Sequence, residues 1–323
     1  MSSLHFSSRL DYSGDFSSLI KRICKVFTIG ELVNFEIIEV GYEDCNVLIK
    51  THKGTYVAKI FSKDRSQEEI ERYAIIMQKV IQAGVNHPEL LRTQDQDVLY
   101  HDKNITLVVM PFIEGKTFYT LDRPPNTEEL KLITEQASII NAVEYKPPFI
   151  LDSWAIPNIE TSLDRVKPFM MPQDVKLVDD AVSRYKSIPI DKLPHTFVHG
   201  DFTKANILKG HDEKMYILDF SVANWYPRIQ ELAVMAANLL HGAEDTTLRK
   251  RCEMTVKQYS KYTQLTHDEE KYLYPYALAG VAMEMIGAHI EKYINGNKSE
   301  ETEYWLSLGS EGLKQALNNG GSA

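Results

Sequence analysis

His199-Gly200-Asp201-Phe202-Thr203-Lys204-Ala205-Asn206 is followed by Ile207-Leu208-Lys209, a polar turn through Gly210-His211-Asp212-Glu213, then Met215-Tyr216-Ile217-Leu218 and Asp219-Phe220-Ser221. Two short apolar runs around a Gly-containing polar turn predict an antiparallel hairpin. Paired positions in such a ladder sum to a constant, so pairing Gly210 with Met215 puts Lys209 opposite Tyr216 and Asn206 opposite Asp219. An amide and a carboxylate at one end of a hairpin are hard oxygen donors, suited to Mg²⁺ with room left for water and phosphate. Asp201 lies one short loop before Asn206, near enough to return its carboxylate to the same end and there orient and deprotonate a hydroxyl. Taken singly, Asp201 or Asp219 reads as a turn or capping residue. The joint spacing, D-x₄-N, an apolar strand and then D-F, makes them a constellation.

Outward from this hairpin the chain changes character. On its N-terminal side, a leading helix around Leu19, Ile20, Ile23 and Val26 precedes three strand-like runs, Phe35 to Gly41, Asn46 to Lys50 and Thr55 to Phe61. They are rich in Val, Ile and aromatic residues, and Thr51-His52-Lys53-Gly54 turns the last two into a hairpin. Apolar residues then recur at three and four positions from Ser66 to Ala83, predicting one crossing helix that ends at Gly84. Two more strands, Asp97 to His101 and Ile105 to Met110, precede the break at Pro111-Phe112-Ile113-Glu114-Gly115. Helical periodicity dominates beyond it, in Thr127 to Glu144, Asp174 to Ser187, Arg228 to Leu240, Thr246 to Tyr262, His267 to Tyr293 and Glu300 to Leu317. Strands followed by helices make an α+β fold. The expected division is 1–113, a small antiparallel-sheet lobe with one crossing helix, and 114–323, a larger and mainly helical lobe.

Composition narrows the function. The 323 residues are 43% hydrophobic and 25% charged, the proportions of an ordinary globular protein. A net charge of −9 without large basic clusters speaks against a nucleic-acid surface, since phosphate backbones are held by grouped Lys and Arg. No apolar run reaches the roughly 18 residues of a membrane span, and the start, Met-Ser-Ser-Leu-His-Phe, lacks a signal pattern, so no membrane partner and a cytoplasmic location are expected. Cys24, Cys45 and Cys252 are scattered and odd in number, unlike a disulfide framework or a zinc site.

The H-G-D-x₄-N segment, its apolar strand and Asp219 resemble the aminoglycoside phosphotransferase, choline kinase and homoserine kinase group of small-molecule kinases. That resemblance implies a protein-kinase-like bilobal fold, with the nucleotide bound by the N-terminal lobe and the acceptor by the helical one. It also implies Asp201 as the catalytic Asp, and Asn206 and Asp219 as ligands of the Mg²⁺ that bridges the phosphates of ATP. Lys59, a charge inside the apolar run Tyr56-Val57-Ala58-Lys59-Ile60, needs a partner there. In the kinase arrangement such a lysine reaches the α and β phosphates and is held by a helix carboxylate. Glu68, Glu69 and Glu71 are the candidates, with Glu71 preferred. The phosphate-covering turn falls on Gly41 to Asn46, matched by Gly41 and Asn46, whereas Glu43 and Asp44 depart from it: carboxylates there repel a triphosphate unless they face solvent. Met110-Pro111-Phe112-Ile113 resembles the hinge against which an adenine packs, making Phe112 and Ile113 contacts. In Pro227 to Ala233, Glu231 stands where Asp is usual, and a helix-terminal charge explains it equally.

The implied activity is transfer of the γ-phosphoryl group of ATP to a hydroxyl of a small, amine-bearing acceptor of the aminoglycoside, homoserine or choline type. Trp225, Tyr226, Tyr304 and Trp305 are candidates to cage a cationic amine, with core or surface packing as the alternative. Lys204 either reaches the γ-phosphate or faces solvent. Protein substrates are disfavoured: Gly200 replaces the usual Arg, Ser221 replaces the Gly after Asp-Phe, and no A-P-E follows. The competing reading is a silent nucleotide-binding pseudokinase of the same fold, although Lys, catalytic Asp, Asn and metal Asp are all present.

Overall fold

The hairpin around Thr51 and Gly54 seeds the first sheet: β1 (Leu32–Ile38), β2 (Cys45–Thr51) and β3 (Gly54–Ile60) pair antiparallel in sequence order. The computed structural model describes residues 9–38, 43–243 and 246–319. These fall into two units, residues 1–81 with 87–114, and residues 82–86 with 115–323.

In the first unit, α1 (Phe16–Val26) is N-capped by Asp15 and buries Leu19, Ile20, Ile23 and Cys24. After β3 comes α2 (Gln67–Gln82), then β4 (Tyr100–Asp102) and β5 (Ile105–Pro111), giving the sheet order β1-β2-β3-β5-β4. Val47 and Ile49, with Ala58 and Ile60, Leu107 and Val109, obey the period-two rule and share a core with the buried side of α1. On α2, Ile70, Tyr73, Ile76, Met77 and Val80 are buried. The strand expected from Asp97 begins only at Tyr100, because Thr93 to Asp97 close a turn in which Gln96 has a φ of 70°. The first strand starts earlier than expected, at Leu32, because pairing with β2 extends to Thr51; the expected Gly41 end lies outside the described residues.

The second unit opens with β6 (Gly115–Thr117) and a single helical turn, Phe118–Leu121. Helix α3 (Thr127–Asn141) starts at a capping box in which Asn126 and Glu129 satisfy each other's backbone N–H groups. Then follow α4 (Ile159–Val166), α5 (Pro172–Lys186), β7 (His195–Val198), β8 (Ile207–Gly210), β9 (Met215–Ile217) and β10 (Asn224–Pro227). The expected single helix from Arg228 is α6 (Ile229–Val234) continued by a π turn, Met235–Leu239. It is followed by α7 (Leu248–Tyr259), α8 (His267–His289) and α9 (Glu300–Asn319).

Helix α8 is the pillar of this unit. From Tyr276 to His289 every residue is buried, so no amphipathic stripe exists and neighbours surround it. Its N-terminus is fixed by a Thr266–Glu269 capping box, and fully buried Glu269 forms a two-pronged pair with Arg228 at 2.8 and 2.6 Å. Helix α9 approaches it backbone to backbone, since a Cβ on Gly309 would stand 2.5 Å from the Met285 nitrogen. Strand β6 was unexpected. It pairs with β8, and a Cβ on Gly115 would meet the Lys209 carbonyl oxygen at 2.3 Å, so only glycine admits that ladder.

Candidate active site

The central hairpin forms, but one residue out of the expected register. Ile207 faces Ile217, Leu208 faces Tyr216 and Lys209 faces Met215. The turn sets this, because Gly210 N–H donates to the Lys214 carbonyl and Glu213 takes a left-handed φ of 64°, leaving three residues rather than four in the loop. Asn206 therefore lies opposite Leu218, whose N–H donates to its carbonyl at 2.8 Å. Asp219 sits one step beyond and turns away from the strand with a φ of 62°, a conformation Asp tolerates better than most residues. Its Oδ1 accepts from Ser221 N at 3.2 Å and from Ser221 Oγ at 2.6 Å.

Asp201 and Asn206 meet directly. The Asn206 Nδ2 donates to Asp201 Oδ2 at 2.5 Å and to the Asp201 carbonyl at 3.2 Å, which aims the remaining amide oxygen elsewhere. The loop between them is a tight turn, with Thr203 N–H on the Asp201 carbonyl and Asn206 N–H on that of Thr203. Gly200, at a φ of 88°, occupies the left-handed region that lets the chain enter this loop.

His199 joins the two halves of the constellation. Its Nδ1 accepts from Asp201 N at 3.1 Å, so the proton must be on Nε2, which donates to the Leu218 carbonyl at 2.9 Å. The ring is fully buried, with Phe202 and Phe220 edge-on at 5.3 and 4.5 Å. Burial pushes its pKa down to about 4, so the imidazole is neutral at ordinary pH. One side chain thus fixes the backbone on both sides of the Asp201 and Asp219 segments.

Buried carboxyl groups support the loop from α6 and α8. Glu231, fully buried, accepts from His199 N at 2.5 Å and Gly200 N at 3.2 Å. It is no surface helix charge. Asn238 Oδ1 accepts from Lys204 N at 2.9 Å, and its Nδ2 donates to Glu284 Oε1 at 2.7 Å. Burial raises both carboxyls, Glu231 and Glu284, to about 8. Lys204 takes neither expected course: it is 4% exposed and its Nζ donates to the His241 carbonyl at 2.9 Å. No motif marks Asn238 or Glu284, though each is a lone polar residue in an apolar helical run, Ala236 to Leu239 and Ala282 to Met285.

In the first unit, Asn46 lies opposite Lys59 across β2 and β3. Lys59 is buried and pairs with Asp44, 3.0 Å from its Oδ2, not with Glu71. Glu71 is exposed and accepts from Gln67 at 2.9 Å. The register explains the exchange, because Cys45 faces Ile60 and Asp44, just before it, comes within reach of Lys59. Glu68 is exposed as well, and half-buried Glu69 accepts from Ser66 N at 2.7 Å. Asp44 is not turned to solvent; it is buried, meeting Arg65 Nε at 2.7 Å and Ser62 N at 3.1 Å, while exposed Glu43 takes the other end of Arg65. Gly41 lies outside the described residues. Phe112, partly exposed, joins Phe35, Ile37, Ile38 and Leu48 around a cavity of about 740 Å³, and Ile113 is half-buried next to it in the chain.

The four candidate aromatics of the second unit do not form one cage. Tyr226 packs in a small core with Ala155 and Val198, and Trp225 has Lys146 against its ring at 5.9 Å. Tyr304 and Trp305 join Tyr119 instead, with ring centroids 5.1 and 5.7 Å from it. Tyr119 N–H donates to the Lys204 carbonyl at 2.9 Å, tying this cluster to the Asp201 loop. The phenols of Tyr119 and Tyr304 are raised by burial first, then by surrounding carboxylates: Glu301, Glu300 and Asp122 for one, Asp122 and Glu284 for the other. The rings therefore stand in a negative field.

Comparison with known proteins agrees with this geometry. The chain is 21% identical over 272 residues to the homoserine kinase of Parvibaculum lavamentivorans, covering 83% of this chain and 84% of that protein. To the homoserine kinase of Zymomonas mobilis it is 21% identical over 274 residues, covering 82% and 83%. Among solved structures it superposes on a spectinomycin phosphotransferase in complex with ADP and spectinomycin, with a TM-score of 0.71, 11% identity and coverage of 95% and 99%. A choline/ethanolamine kinase family protein from Mesorhizobium loti gives a TM-score of 0.64, 16% identity and coverage of 88% of each chain. These likenesses establish the protein-kinase-like α+β fold. The family described as phosphotransferase enzyme family matches residues 34–255. The chain belongs to that family and is a small-molecule phosphotransferase acting on hydroxyl groups.

Proposed function

We propose that the protein transfers the γ-phosphoryl group of ATP, with Mg²⁺, to a hydroxyl of a small amine-bearing metabolite or antibiotic. The observation that carries the proposal is the Asp201–Asn206 contact, linked through His199 to the Asp219 segment. Asp201 is half-buried and positioned to accept the proton of an attacking hydroxyl. Asn206 spends its NH₂ on Asp201, so its carbonyl oxygen, with the Asp219 carboxylate, is the hard donor set a magnesium ion takes. When bound, that ion would neutralise phosphate charge. Lys59 is the candidate for the α and β phosphates, and Phe112 with the apolar side chains of β1 and β2 the candidate surface for adenine.

The amine-bearing acceptor is supported by Tyr119, Tyr304 and Trp305, whose faces attract a cation while Glu301, Glu300 and Asp122 supply negative charge nearby. Glu284 also feels the charge of Asp201, which supports an acceptor site beside the proposed base. Relatives named homoserine kinase and a structural neighbour holding spectinomycin are consistent with an amino acceptor. Among the described residues no helix is long and apolar enough to cross a membrane, in keeping with a metabolite kinase of the cytoplasm.

The test is phosphoryl transfer from ATP and Mg²⁺ to a panel of amino alcohols, amino sugars and homoserine, with Asp201→Asn and Asp219→Ala alongside the native chain. Asp201→Asn should bind nucleotide normally and lose turnover, whereas Asp219→Ala should weaken Mg·ATP binding as well. ATP binding without transfer to any acceptor would favour the pseudokinase reading. Wild-type turnover in Asp201→Asn would remove Asp201 as the base.

A further inference from the structure

A buried arginine in the second unit has no counter-charge among the described residues. Arg251, on α7, is 3% exposed, and its Nε is buried without a hydrogen-bond partner among the described residues. Buried Lys59 and half-buried Arg65 are matched by Asp44, and half-buried Arg228 by Glu269, whereas buried Lys204 has a backbone carbonyl. A guanidinium does not escape such a position by losing its proton, and an uncompensated buried charge is costly. Burial pulls Arg251 down to about 10, and among the described residues no carboxylate opposes that shift.

Arg251 faces a cavity of about 410 Å³ whose wall also includes His241, Thr246, Thr247 and Gln315. His241 Nδ1 is likewise buried and unpartnered. Lys204, bonded to the His241 carbonyl, adds a third group; burial first and then Arg251 lower the pKa of His241, and burial with Arg251 lowers that of Lys204 against the pull of Asp122. Among the described residues Glu311 pushes His241 the other way. The cavity lies at the N-terminus of α7, a helix of 12 residues capped by Thr247, whose Oγ1 accepts from Lys250 N. A first helical turn leaves N–H groups without intrahelical partners and carries partial positive charge. Cationic side chains, orphan donors and a helix N-terminus therefore converge on one space, large enough for a small ion with part of its hydration.

We infer that this cavity is an anion site, taking a phosphate or carboxylate group on the Arg251 guanidinium at the start of α7. It is distinct from the proposed metal and acceptor groups and does not rest on the choice of acceptor. The ligand replaces the missing counter-charge, and the Lys204–His241 bond connects its occupancy to the segment that carries Asp201. Glu244 and Asp245, just before α7, lie outside the described residues and are tested as the internal alternative.

The experiment is calorimetric titration of the full chain with inorganic phosphate and, separately, with malonate, holding Mg²⁺ and a non-hydrolysable ATP analogue at saturation. The analogue fills the nucleotide's own phosphate positions. Saturable binding of one or both ions is expected, weakened at least tenfold in Arg251→Met. Thr246→Asp, which brings a carboxylate to the cavity wall, should weaken it as much while leaving the melting temperature in anion-free buffer unchanged or higher. If Arg251→Met does not fold, Thr246→Asp still decides. Tighter binding of phosphate identifies a phosphate ligand, and tighter binding of malonate an organic acid. The inference is overturned if the native chain binds neither ion, if both variants bind as the native chain does, or if binding emerges only after joint Glu244→Gln and Asp245→Asn substitution.

Discussion

Replacing His199 by Phe keeps an aromatic ring of similar bulk between Phe202 and Phe220 and removes both polar contacts. Two groups are then stranded, the Asp201 N–H and the Leu218 carbonyl. Leaving a buried polar group unsatisfied costs about 1–3 kcal/mol, so the loss should total about 2–6 kcal/mol, a large part of a typical 5–15 kcal/mol stability. Catalysis should suffer as well, because displacing a reacting group by about 1 Å lowers rates roughly 100-fold. Urea unfolding followed by circular dichroism gives the first quantity, and steady-state transfer to the acceptor the second. Two conservative variants divide the effect. Asn at 199 can place an amide oxygen near the Nδ1 position and keep the Asp201 contact, so kcat should survive better than the KM for Mg·ATP. Gln reaches the Nε2 position and keeps the Leu218 contact, reversing that order. Native stability and turnover in His199→Phe, or indistinguishable kinetics for Asn and Gln, would refute the bridging role.

Asp44→Asn should cost about 3–5 kcal/mol, the usual penalty for breaking a buried ion pair from one side, because Lys59 and Arg65 both lose the Asp44 carboxylate; thermal and urea unfolding measure it. Stability should also fall as pH rises. Glu231 and Glu284, raised to about 8 by burial, keep their protons in the native state after the unfolded chain has released them near 4.5. The native state therefore binds more protons across that window, and stability is lost with rising pH until the folded value is passed. His199, lowered to about 4, acts oppositely, but only below its unfolded value of 6.5. Between pH 6.5 and 8 the carboxyls act without that opposition, and each should remove about 2 kcal/mol. Urea midpoints over that interval should decline in the native chain and decline less in Glu231→Gln. Arg228→Met should destabilise by about 3–5 kcal/mol by leaving Glu269 buried and unpaired, visible in the same unfolding curves.

Much of the architecture was written locally. Strong β-formers around a Gly-containing turn, and apolar periodicity ending at glycine, reported the first sheet and α2 because short-range propensity and burial agree there. The constellation was legible for the same reason, since D-x₄-N and D-F sit within one hairpin. Its register was not, because a left-handed Glu213 shortened the turn and nothing in the side chain announces that conformation. Lys59 found a partner in Asp44 rather than Glu71 because cross-strand register outweighs helix proximity. Strand β6 depends on the backbone closeness that Gly115 permits to Lys209, a long-range contact with no local pattern. Tyr119 joined Tyr304 and Trp305 for a similar reason, through the tertiary hydrogen bond from its N–H to Lys204.

The bare Cα of Gly309 carries a consequence for selectivity. With Tyr304 and Trp305 one turn earlier on α9 and Glu284 on α8, the spacing between the rings and that carboxyl is governed where the two backbones touch at Met285. Adding one carbon, as in Gly309→Ala, would wedge the helices apart without altering any side chain of the proposed acceptor site. If the proposed acceptor site lies there, the range of acceptor sizes is adjustable from behind it, and substrate choice can diverge while the lining stays identical.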